Sequence, residues 1–78
     1  MNIEDLKIGD KLRLVDVKGL VKHLKSGGND ENAYQGDLYR GRIYTISKVR
    51  YESVSVEEGV EDGIYRDELQ FFELTLDN

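Results

Sequence analysis

The feature that most constrains this chain is the spacing of its strand-like runs. Five short runs carry alternating or β-branched apolar residues, and none exceeds ten residues. Residues 11–17 place Leu12 and Leu14 on one face. Residues 42–51 are richest in β-branched and aromatic side chains, the types that suit a half-buried pleated surface. Within them Tyr44 and Ile46 share a parity that Val49 breaks, so a bulge near Ser47 and Lys48 is expected to return Val49 to the core face. Residues 53–57 alternate cleanly, with Val54 and Val56 inward; Ile64 and Tyr65 open a short strand; residues 70–76 form the last. Gly9-Asp10 makes a tight turn before the first run, because Gly accepts positive φ and Asp bonds its own backbone. Residues 58–63 hold two glycines and an Asp-Gly pair, a turn signal, and residues 66–69 read as one helical turn with Asp67 near its start. The expected fold is all-β: a small five-stranded barrel, since closure removes the edges that an open sheet leaves exposed. Its expected core is Leu12, Leu14, Ile43, Ile46, Val49, Val54, Val56, Leu69, Phe72 and Leu74. Tyr44 and Tyr65 are expected to pack with it, and Ile3, Leu6 and Ile8 to cap one end.

The first connection departs from this economy. Residues 18–41 form a long inserted loop, where a compact domain needs only a few residues. Residues 20–25 fit one or two helical turns, with Leu20 and Leu24 on one face. Residues 26–32 break both helix and strand patterns, and the segment 26–33 has little to bury against the entropy of ordering it, so it is expected to be mobile. With 78 residues there is one domain, 1–78.

Charge divides the chain. The net charge is −5, yet residues 18–50 hold seven Lys or Arg against three acids, while residues 51–78 hold Arg66 alone against nine. General DNA or RNA binding is disfavoured, because the acidic part repels a phosphate backbone that a cation cluster would have to neutralise. The absence of Cys excludes disulfides, zinc–thiolate sites and thiol chemistry, and a single His excludes a multi-histidine metal site. No apolar run approaches the ~20 residues of a membrane span, and the acidic start lacks a signal-peptide layout, so a cytoplasmic protein without cofactors is expected.

Few residues invite chemistry. His23 needs an orienting partner to act as a base; Asp16, Asp30 and Asp37 are candidates, and a surface imidazole is the simpler reading. Lys22, Lys25, Ser26, Gly27 and Gly28 form a basic glycine-containing turn without Walker spacing, suited to phosphate or to plain solvation. Tyr34 and Tyr39 lie beside Arg40 and Arg42, and Tyr and Arg are enriched at binding hot spots. The same tyrosines would also serve to staple the loop to the barrel. The carboxylates of Glu57, Glu58, Glu61, Asp62, Asp67, Glu68 and Glu73 suit either a solvated face or a mimic of nucleic-acid phosphates. The candidate binding residues are Lys22, Lys25, Tyr34, Tyr39, Arg40 and Arg42.

Three segments carry a resemblance. Residues 8–15 (Ile-Gly-Asp-Lys-Leu-Arg-Leu-Val), 41–46 (Gly-Arg-Ile-Tyr-Thr-Ile) and 63–71 (Gly-Ile-Tyr-Arg-Asp-Glu-Leu-Gln-Phe) resemble the opening, second strand and closing segment of small SH3-like β-barrels. Such short proteins are frequent among bacteriophage and prophage accessory products. The resemblance implies a non-catalytic protein of the bacterial host cytoplasm that binds and inhibits a host factor, such as a defence component, by protein–protein interaction. Sequestration of a phosphate-bearing nucleotide signal, an acidic nucleic-acid mimic and association with a second copy of the chain stay open beside it.

Overall fold

The structure, a computed structural model, describes residues 1–27, 31–34, 36 and 38–75. Among the described residues five antiparallel strands, β1 (Lys11–Leu14), β2 (Ile43–Val49), β3 (Ser53–Val56), β4 (Ile64–Tyr65) and β5 (Phe72–Thr75), form one sheet in the order β4-β3-β2-β1-β5. The helix α1 (Val17–Ser26) lies in the β1–β2 connection, with short 3₁₀ segments at Ile3–Asp5, Glu31–Tyr34 and Arg66–Phe71. The molecule is mostly β, as the strand runs imply.

The register carries one irregularity. β2 pairs β1 through Leu12↔Tyr44 and β3 through Ile46↔Val56, and its pairing shifts between Ile46 and Lys48. That is the bulge expected from the parity break, and Val49 packs half-buried against the core beyond it. Closure is not reached. β4 and β5 stand at the two ends of the strand order, and no β4–β5 pairing joins them among the described residues. The reason is length: β4 gives only Ile64 and Tyr65 before the chain turns into the 3₁₀ segment Arg66–Phe71, so little backbone is left to complete a cylinder. That segment instead inserts Leu69, which is fully buried.

The core holds Leu12, Leu14, Ile46, Val54, Leu69 and Phe72 as expected, joined by Ile3, Leu6, Leu20, Leu24, Tyr34, Tyr44, Val60 and Ile64. Three expectations are corrected. Leu74 is exposed, because it pairs with Leu12 on a strand at the edge of the sheet. Ile8 sits in the turn before β1 and faces solvent, and Tyr65 is exposed on two-residue β4. Ile43 and Val56 are half-buried. Gly63 has a positive φ of 81° and lies so close to β3 that a Cβ would come 2.4 Å from the Val54 carbonyl oxygen, so no other residue fits that turn.

The first strand is shorter than its pattern, and α1 begins where the strand was expected to continue. Asp16 is the cause: its Oδ1 accepts a hydrogen bond from the Gly19 amide at 2.9 Å, an N-cap that starts the helix at Val17. Leu20 and Leu24 face the core, and His23 and Lys25 fall in the last turn, where cations suit the helix dipole. Of the segment 26–33, Ser26 ends α1, Gly27 donates to the His23 carbonyl, and Ala33 belongs to the 3₁₀ segment, half-buried against the core; residues 28–30 lie outside the described residues.

Candidate functional site: a basic groove beside the first connection

Two hydrogen bonds bring the end of the inserted loop back to the first strand. The Leu14 amide donates to the Arg42 carbonyl at 2.9 Å, and the Gly41 amide to the Leu14 carbonyl at 2.8 Å. Arg40 is thereby placed beside the residues that follow β1. A hollow of about 560 Å³ opens there, lined by Arg13, Leu14, Val15, Arg40, Gly41, Ile43 and Glu73. A second, of about 260 Å³, shares Val15 and Arg40 and adds Asp16, Val17 and Lys18. A third, of about 450 Å³, shares Val17 and Lys18 and runs along α1 past Val21, Lys22, Lys25 and Ser26. These adjoining hollows make a groove with an aliphatic floor and five basic side chains, Arg13, Lys18, Lys22, Lys25 and Arg40, against the carboxylates of Asp16 and Glu73. Arg13 and Glu73 approach to 3.8 Å beside it, both partly exposed, so the pair contributes little to stability.

The candidate residues separate into three groups. Lys22, Lys25 and Arg40 line the groove and are exposed. Tyr39 and Arg42 stand next to it as a packed pair: the Arg42 guanidinium lies 5.8 Å from the Tyr39 ring centroid and 5.6 Å from that of Tyr44. Arg42 is therefore held by two aromatic rings as well as by the Leu14 amide on its carbonyl, just before β2, and Tyr39 stays exposed. Tyr34 does not line the groove and takes the stapling position that the loop's tyrosines left open. Only 2% of it is exposed; its ring packs against Tyr44 and Phe72, and its hydroxyl donates to Glu68 at 2.8 Å.

Sequence reasoning passed over Arg13, Lys18 and the valines of the floor. The signal was present in the spacing: Lys18, Lys22 and Lys25 recur at helical intervals beside Val17 and Val21, the outer face of a helix whose inner face carries Leu20 and Leu24. Arg13 lies between Leu12 and Leu14 and so points away from the core.

The titratable groups elsewhere are mostly engaged. The partner of His23 is Asp67, whose Oδ2 lies 3.0 Å from Nε2, while the imidazole ring packs at 5.5 Å from Phe71. Asp16 is occupied as the helix cap, and Asp30 and Asp37 lie outside the described residues. The acidic surface is thinner than its composition. Glu58 turns inward to accept from the Thr45 amide at 2.6 Å and hydroxyl at 2.7 Å. Glu68 is buried, and burial pushes its carboxyl above the ordinary range despite the Tyr34 and Tyr65 hydrogen bonds. Burial likewise raises the Tyr34 phenol, which is a hydrogen-bond donor at any ordinary pH. Arg66 grips Glu4 with both terminal nitrogens, at 3.1 and 2.7 Å, and holds that exposed carboxyl below its usual range.

Among the described residues no helix is long and apolar enough to cross a membrane, and no group of three or more His, Asp or Glu is placed to hold a metal ion. Comparison with protein-family models, curated proteins and solved structures found no match to this chain.

Proposed function

We propose that this chain is a non-catalytic binding protein that holds an acidic segment of a partner protein in the groove between β1, α1 and residues 40–43. The observation that carries the reading is the gathering of five basic side chains around an aliphatic floor in a chain of net charge −5. Charges around such a groove steer encounter and set register, while the valine floor gives the partner's apolar side chains something to bury against. Arg13 and Arg40 suit bidentate grip of carboxylates, which lysine cannot reproduce. The engagement of His23 with Asp67 and Phe71 favours a structural duty for the lone imidazole, tying α1 to the 3₁₀ segment Arg66–Phe71.

The resemblance of residues 8–15, 41–46 and 63–71 to small SH3-like barrels extends the reading to a phage or prophage accessory protein that inhibits a host factor in the bacterial cytoplasm. The 3₁₀ segment leading into the final strand is consistent with that resemblance. A second reading, a phosphate-bearing small ligand, draws on one observation. The hollow beside Arg13 and Arg40, at about 560 Å³, falls within the roughly 300–1,000 Å³ of small-molecule sites.

The test is a pair of charge reversals. Lys18→Glu, Lys22→Glu and Arg40→Glu together should abolish association with the partner purified from the host, with far-UV circular dichroism unchanged. Glu57→Lys with Glu61→Lys should leave it intact. The opposite pattern would make the acidic face the functional one. A nucleotide that raises the thermal midpoint of the wild-type protein but not of the groove variant would favour the small-ligand reading.

A further inference from the structure

We propose that a small hollow beside Glu68 is a binding pocket for an alkylammonium group. The hollow measures about 80 Å³ and shares no lining residue with the basic groove. Leu24 of α1, Ala33, Tyr34, Asp62, Tyr65 and Glu68 line it. Glu68 is 2% exposed. Its Oε1 accepts the Tyr34 hydroxyl at 2.8 Å and the Tyr65 amide at 3.2 Å; among the described residues its Oε2 accepts no hydrogen bond. A carboxylate buried apart from the one uncommitted oxygen that stays open to the hollow is stabilised most by a cation brought to it.

Three features select an alkylammonium. Tyrosines and a second carboxylate, Asp62, surround the same space as Glu68, and aromatic rings attract ammonium groups. Leu24 and Ala33 give methylene or methyl groups an apolar wall, which a hydrated metal ion would not use. The surrounding third of the chain, with nine acids against Arg66, favours cations over anions. The volume admits a group of a few heavy atoms, given that a single water needs roughly 10–15 Å³ of such space. A free small amine and the tip of a lysine side chain share this chemistry.

Methylammonium chloride should therefore shift the amide resonances of Leu24, Ala33, Gly63 and Tyr65 saturably, with a dissociation constant of about millimolar order for so small a ligand. Sodium chloride at equal ionic strength should not. Asp62→Asn, at an exposed position, should weaken the response about tenfold, and Glu68→Gln should weaken it at least as much. A stronger response to Nα-acetyl-lysine methylamide identifies a lysine side chain as the occupant; a response confined to methylammonium identifies a free amine. Equal shifts with sodium chloride, or a methylammonium response unchanged in Asp62→Asn, would overturn the proposal. Neither result bears on the basic groove.

Discussion

Tyr34 and Glu68 lie 34 residues apart in the chain and meet at 2.8 Å in the core. A buried carboxylate that loses a donor keeps its desolvation penalty, so Tyr34→Phe should cost about 1–3 kcal/mol, read from urea unfolding. The pair also sets a pH dependence. Because burial raises the Glu68 carboxyl above its ordinary value of 4.5, the native state takes up its proton more readily than the unfolded chain does. The stability this contributes is fully present below the ordinary value and is lost as pH rises through the raised one. Glu68→Gln keeps an acceptor for Tyr34 and the Tyr65 amide without the titration. Its urea midpoint should therefore gain on wild type as pH rises across that window and hold a constant lead above it. Midpoints that run parallel at every pH would separate Glu68 from this dependence. The sequence singled out Tyr34 as a binding or stapling residue and Glu68 as one of an acidic group, but nothing in it paired the two. Tyr34 stands among Asn32, Gln35 and Gly36 with no apolar period around it, and Glu68 is one of nine acids in its third of the chain. A polar contact between distant segments leaves no local pattern.

At the scale of the element, α1 depends on its first turn. Asp16→Ala removes the cap and should cost about 1 kcal/mol. Gly19→Ala tests the packing behind it. In an ordinary helix interior this change gains up to about 1 kcal/mol. Here the new Cβ would lie 2.4 Å from Asp16 Oδ2 and 2.8 Å from Phe71 Cε1, so the thermal midpoint should fall instead. A midpoint that rises would show that both neighbours yield freely. The inner face of α1 was legible from Leu20 and Leu24, and the β2 bulge from the parity of Tyr44, Ile46 and Val49. The start of the helix was not, because Leu14, Val15 and Val17 extend a strand-like run that only the Asp16 cap interrupts. The open sheet was not legible either. A run such as Ile64-Tyr65 shows that a strand begins but not that it is too short to close a cylinder.

Over the whole molecule, charge is separated between a basic groove and an acidic C-terminal third. Three of the five groove cations were legible: Lys22, Lys25 and Arg40 stood out as cations in a long connection, while Lys18 joins Lys22 and Lys25 through the helix and Arg13 meets Arg40 through the pairing of Leu14 with residues 41 and 42. If the groove binds an acidic segment, association should weaken with added salt, chiefly through a slower on-rate, because exposed charges are screened beyond about 8 Å at physiological ionic strength. Hydrogen exchange on the complex of this chain with its partner, purified intact from the host, tests that central claim most directly. The groove account predicts new protection at residues 17–26 and 40–43, with residues 57–62 exchanging as in the free protein. Protection confined to residues 57–62, with the groove amides unchanged, would contradict it.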